Sequence, residues 1–200
     1  MAMNRSWSDD PSEPSRFVDT IDIGRHELLF YEDEEYGLML QFRFINTGLL
    51  KGQHCIYTTH GDTAFIENKM RANGIDVEGF KRKNLLRIYQ IPNPMDDPEG
   101  VLRGAQNIAG RMIVDSGTPY RIVSRMMPEL NTDEERSAEL LIERNFQTLV
   151  GNLQCSWICP YFIEKMEPST HARWFLDTLE CHQDAIFAPK LGKGIAFKMR

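Results

Sequence analysis

The chain has 200 residues, long enough for one domain with a full core and no disulfide staples. Hydrophobic residues make up 42% and charged residues 26%, with a net charge of -6 and a pI near 5.4, an ordinary globular composition. That balance speaks against a nucleic-acid surface, which needs clustered Lys and Arg, and against an anionic membrane surface, and no apolar run approaches the ~20 residues that span a bilayer.

The first 16 residues, MAMNRSWSDDPSEPSR, are polar and rich in Ser, Pro and acid. They read as a disordered tail with no apolar stretch of a secretory signal, so a cytoplasmic location is expected. One domain is expected over 17–200. Residues 26–31 (HELLFY) have the length and apolar content of a buried strand. Asp33, Glu34 and Glu35 then suit a helix N-terminus, where the dipole favours negative charge. Leu38, Met39, Phe42, Phe44, Ile45 and Leu49 predict a mostly buried helix over 36–50.

A second strand is expected over 53–59, a turn at His60, Gly61 and Asp62, and a helix over 63–72 stopped by Gly74. Strand 85–91 follows. Pro92, Pro94 and Pro98 fill a loop before a helix from about 99 to 116. Strand 120–126 leads to a helix that Thr132 and Glu135 open with capping-box spacing, running to about Gly151. Strand 153–159, helix 169–181 and a short closing hairpin from 185–188 and 194–198 complete the chain. The fold class is α/β: alternating strands and helices imply a mainly parallel sheet with helices on both faces, three layers in all, with a small β end.

Ligands of such sheets sit beyond the carboxyl ends of the strands. A phosphate loop needs glycines for backbone wrapping, then Lys and Ser/Thr. After the first strand this chain reads FYEDEEYG, with four carboxylates where phosphates would lie. No GKT, GKS, GxGxxG, GxSxG or HExxH occurs, so no cofactor and no enzyme chemistry is called for.

Some residues do carry chemistry. His26 opens the first strand and Tyr31, Glu32 and Asp33 follow it; they suit a small polar ligand or a metal, or else are a surface histidine beside a solvated helix start. CSWIC places Cys155, Trp157 and Cys159 on one strand face. Cys155, Cys159, Cys181 and His182 match a zinc site in type but not in spacing, for there is no CxxC knuckle. Core filling is the simpler reading of the cysteines, Cys55 included, and no metal is expected. Cys159 and Tyr161 end the fifth strand at the expected pocket edge, where thiols and aromatics suit a small organic molecule.

His26, Phe30-Tyr31-Glu32, Gly48-Leu49, Lys51-Gly52, Ile56-Tyr57, Tyr120-Arg121-Ile122-Val123, Glu143, Cys159, Tyr161 and His182 together resemble the MEDS domain, the sensory domain of DcmR-type regulators, over about 20–190. That family has an acid late in the penultimate strand, where this chain has Arg125. The layout is also similar to KaiC-like members of the RecA class, and the tail GKGIAFKMR to their closing strand, without the phosphate-loop (Walker A) lysine. The resemblance implies a non-catalytic sensor of small molecules, with hydrocarbon derivatives proposed as ligands. It implies a site of His26, Tyr31 and Glu32 on one wall and Cys159, Tyr161 and His182 on the other, with Glu143 orienting a histidine. Output would pass to a protein partner, a kinase or a transcription regulator, or through self-association. Two alternatives stand beside it: a catalytically dead RecA-like interaction module using the helix around 133–150, and a thiol redox switch or enzyme using Cys159 with His182.

Overall fold

A computed structural model describes residues 12–113, 118–152, 154–163, 166 and 168–199. The expected tail over 1–11, positions 114–116 of the expected helix before the fourth strand, and Leu153 lie outside the described residues. Helix α1 (Pro14–Thr20) opens the described chain, with Pro14 in its first turn and Glu13 capping Arg16 N. It starts three residues before the expected boundary at Phe17 because proline is preorganised for a first turn.

Strand β1 (His26–Tyr31) leads by a two-residue turn into α2 (Glu34–Leu50), whose N-terminus Asp33 caps by accepting from Tyr36 N. β2 (His54–Thr59), α3 (Thr63–Ala72), α4 (Val77–Arg82), β3 (Leu86–Gln90), α5 (Val101–Ile113) and β4 (Tyr120–Val123) follow. Then come α6 (Asp133–Asn152), β5 (Cys155–Phe162), α7 (Pro168–Glu180), β6 (Asp184–Lys190) and β7 (Lys193–Lys198). The capping box forms: Thr132 N donates to Glu135 Oε2 and Glu135 N to Thr132 Oγ1, at 2.9 and 3.1 Å. Helix α4 stands where the sequence shows no periodic run; Asp76 starts it by accepting from Gly79 N at 2.9 Å.

The sheet order is β3-β2-β4-β5-β1-β6-β7, parallel except for β7 against β6. The expected closing hairpin is thus part of the main sheet, since β6 also pairs in parallel with β1. Gly194 (φ +129°) lies at the irregular end of that hairpin, where a Cβ would meet Phe187 O at 2.1 Å.

Two apolar layers sandwich the sheet. One joins Leu29, Tyr57, Val123, Ile158 and Ile186 to α1–α4 through Val18, Leu40, Phe44, Met70 and Val77. The other joins Leu28, Phe30, Ile56, Ile122, Trp157 and Tyr161 to α5–α7 through Ala105, Ile108, Ile142, Phe146 and Trp174. Strand period two does this sorting: along β1, Leu28 and Phe30 face α5–α7, Leu29 and Tyr31 face α2.

Candidate functional site

In the mainly apolar layer under α6 and α7, buried titratable side chains gather in one cluster. His26 shares the β1 face of Leu28 and Phe30, and Cys159 and Tyr161 share the β5 face of Trp157. The parallel register sets Leu28 beside Cys159 and Phe30 beside Tyr161. Glu139 and Glu143 stand one helical turn apart on α6 and both point to the sheet, buried. His182, two residues beyond α7, is buried against them.

His26 Nε2 lies 3.2 Å from Cys159 Sγ and 3.2 Å from Glu143 Oε2. His182 Nε2 lies 3.5 Å from the same carboxylate oxygen, and the two imidazole rings are 4.2 Å apart between centroids. His182 Nδ1 is 2.7 Å from Thr178 O. A carbonyl can only accept, so Nδ1 carries the proton and Nε2 presents a lone pair. The main chain of His26 is clamped by Gln183, whose Oε1 accepts from His26 N at 2.8 Å and whose N donates to His26 O at 2.9 Å.

Tyr161 OH bridges Glu143 Oε1 and Glu139 Oε1, the latter at 2.8 Å. Glu139 Oε2 accepts from Met127 N at 2.9 Å. The network therefore runs from the loop after β4 through Glu139 and Tyr161 to Glu143 and the histidines. His26 Nδ1, His182 Nε2 and Glu143 Oε2 are buried and make no hydrogen bond. An unpaired buried polar atom costs about 1–3 kcal/mol, and three on one cluster are more than packing alone explains.

Burial sets the charges. It pushes Glu139 up to about 8, helped by the facing Glu143 charge. It opposes ionisation of Glu143 too, but the His182 and His26 imidazoles, when charged, and the Tyr161 hydroxyl outweigh it and hold that carboxyl low. Burial, with His26 alongside, pulls His182 down to about 4. Burial and then Glu143 push the Cys159 thiol well above its ordinary value. That is the opposite of what a thiolate nucleophile needs.

Of the residues expected at the site, His26, Glu143, Cys159, Tyr161 and His182 meet; Tyr31 and Glu32 stand apart. Tyr31 is five positions from His26 and so on the other sheet face, with its ring against Gly37 of α2; Glu32 is exposed in the turn. Tyr31 instead lines a cleft of about 610 Å³ at the carboxyl edge, with Arg125, Arg136 and His171 among its walls. Arg125 lies past the end of β4, not within the strand, and donates to Pro128 O at 2.6 Å. Among the described residues the one metal-capable group is His26, Glu143, Cys159 and His182, whose donor atoms lie within 4.8 Å of one another. It contains neither Cys155 nor Cys181; Cys181 Sγ donates to Asp177 O at 3.2 Å. Glu139 and Thr178 escape a sequence reading, although the i, i+4 spacing of Glu139 and Glu143 is a visible signal. Also unforeseen is Glu27 on the opposite face, buried beside Arg25 and Asp184; burial, then Asp184, pushes it up to about 9.

The family model described as MEDS, the MEthanogen/methylotroph, DcmR Sensory domain, matches residues 25–183. Among solved structures the fold is similar to the KaiC-like protein PH0186 from hyperthermophilic archaea Pyrococcus horikoshii OT3. The TM-score is 0.57 and the identity 16%, covering 89% of this chain and 80% of that one. No curated protein matches the chain.

Proposed function

The chain belongs to the MEDS family, and from that sensory domain as premise we propose that it detects a small molecule by binding alone, at the buried cluster of His26, Glu143, Cys159, Tyr161 and His182. One observation carries this reading: polar atoms of that cluster, His26 Nδ1, His182 Nε2 and Glu143 Oε2, are sealed in the interior without a hydrogen bond, which a fold retains at a loss of stability. Trp157, Phe146 and Leu28 belong to the same layer. A guest of a few carbons with one polar end fits that mix, and short hydrocarbon derivatives are such molecules.

Detection needs a difference in affinity between two states. The hydrogen bonds from Glu143 through Tyr161 and Glu139 to Met127 N give the guest a route to the loop after β4. That loop borders the carboxyl-edge cleft through Arg125, Pro128 and Glu129, a surface from which a partner protein can read the change. The burial of Cys159 weighs against the thiol-switch alternative, which needs a sulfur that oxidant or substrate can reach.

The test is thermal denaturation with short alcohols, amines and halomethanes, beside magnesium-ATP. A guest at about 100 times its Kd adds roughly 2.7 kcal/mol, a midpoint rise of about 5–11 °C for this length. His26→Ala and Tyr161→Ala should each abolish the rise while the circular dichroism spectrum is kept. Undiminished shifts in both variants would remove the cluster from the binding site, and a shift with ATP would return the domain to the nucleotide-binding class.

A further inference from the structure

Two acceptor atoms aimed at one point repel unless something positive lies between them. Glu143 Oε2 and the lone pair of His182 Nε2 face each other at 3.5 Å, both buried and both without a hydrogen bond. His26 Nε2 and Cys159 Sγ close the other side at 3.2 Å. Ligands bound at 2.0–2.3 Å around a tetrahedral centre stand about 3.3–3.8 Å apart. The close separations here fall near that band, and the whole set lies within 4.8 Å.

We infer that His26 Nε2, His182 Nε2, Glu143 Oε2 and Cys159 Sγ are the four ligands of one divalent first-row metal ion of the zinc class. The inference rests on the proposal above in taking this cluster as the detecting element, and it names the element's chemistry. Two nitrogens, one oxygen and one sulfur suit zinc, cobalt or ferrous iron; magnesium and calcium take oxygen donors.

The surroundings are those of a ligand set. Thr178 O fixes the His182 tautomer and ring through Nδ1, as partners of metal-bound histidines do. Tyr161 ties the free oxygen of Glu143, and Glu139 and Met127 N tie Tyr161 in turn. Gln183 locks the main chain beneath His26. The donors thus come from β1, β5, α6 and the residues that end α7, and the contacts on His26, Glu143 and His182 leave their donor atoms toward the centre. On binding, the Cys159 S–H bond breaks, the proton leaves to solvent and the sulfur lone pair forms the S–metal bond; no electron is transferred.

Cobalt(II) is the probe, because its spectrum reports sulfur ligation and coordination number. The full chain is treated with a chelator, dialysed and titrated with cobalt. One ion per chain is expected, with tetrahedral visible bands and a sulfur-to-cobalt charge-transfer band in the near ultraviolet. Cys159→Ser should lose the ultraviolet band and Cys181→Ser should keep it. Tyr161→Phe should keep the spectrum and weaken affinity by about 10–100-fold. His182→Gln should bind at least tenfold more weakly, which gives a second reading should Cys159→Ser misfold. Substoichiometric uptake by the folded wild type, or an ultraviolet band unchanged in Cys159→Ser, overturns the site. Organic-ligand shifts on the chelated chain, without cobalt uptake, overturn the metal and leave the sensor standing. Full cobalt uptake with no organic shift upholds the metal and counts against the organic ligand.

Discussion

Arg121 carries a permanent charge into the layer beneath α2. Its guanidinium is buried and donates to Gln53 Oε1 at 2.7 Å, Phe44 O at 3.3 Å and Ile21 O at 2.9 Å. One side chain thereby joins α1, α2 and the approach to β2. It lies 4.6 Å from the Phe44 ring centroid, and a Cβ on Gly48 would meet its Cδ at 2.4 Å. A lysine has the charge but not the planar fork. Arg121→Lys should therefore lower the unfolding free energy by about 1–3 kcal/mol in urea titrations, the size of one buried acceptor left unmet. An unchanged midpoint would mean that the fork fastens nothing. A second residue, His60, joins the loops after β2, β3 and β4, with Nδ1 3.2 Å from Ile91 O and Nε2 3.3 Å from Arg125 O. Burial holds its pKa below the usual 6.5, with the Arg125 charge adding to that and backbone carbonyls opposing it. The folded state then binds this proton more weakly than the unfolded chain. His60 stabilises fully above pH 6.5, and that share is lost as pH falls through the folded value. Denaturation at pH 7.5 and at pH 5, values of about one unit or more either side of an ordinary histidine, should show a shallower decline in His60→Gln than in wild type. An equal decline would assign the acid sensitivity elsewhere.

At the scale of elements, the junction of β1 and α2 is too short and too acidic to be a phosphate loop. Two residues, Glu32 and Asp33, make the whole connection, and Asp33 spends its carboxylate on Tyr36 N at 2.8 Å. A loop that short has too few free N–H groups to wrap a phosphate. The ring of Tyr31 folds onto the helix start, and a Cβ on Gly37 would stand 2.3 Å from it. Gly37→Ala should cost about 1–3 kcal/mol by overpacking, measured by the shift in the denaturation midpoint; a smaller loss would mean the ring swings away freely. The same junction shows what the sequence discloses. FYEDEEYG excludes a phosphate loop and announces a helix start by residue type alone, and α3 lies where Asp62 and Gly74 bound it. Helix α4 is hidden because six residues carry too little periodicity, and its only sign is Asp76. Period-two alternation along β1 is enough to part Tyr31 from His26, and a sensor wall built from both overlooks that parity. Glu139 is easily passed over, despite its i, i+4 spacing to Glu143, because an acid on a helix is solvated far more often than buried.

For the molecule as a whole, strand order decides the site. His26 meets Cys159 and His182 because β1 lies between β5 and β6, and no local pattern announces that neighbourhood. Residue types supply the candidates; long-range pairing brings five together and leaves two at the carboxyl edge. The central place of β1 has a consequence in time. β1 is made well before both of its neighbours, β5 and β6. His26 N waits for Gln183, 157 positions later, and at 5–20 residues per second that is roughly 10–30 s of synthesis. Through that interval the α2 side can begin to pack, while the edges of β1 stay open and the cluster is not yet a cluster. The cluster therefore forms late, only after β5 and the residues that follow α7 have been made, and it is assembled by long-range pairing rather than by any local segment.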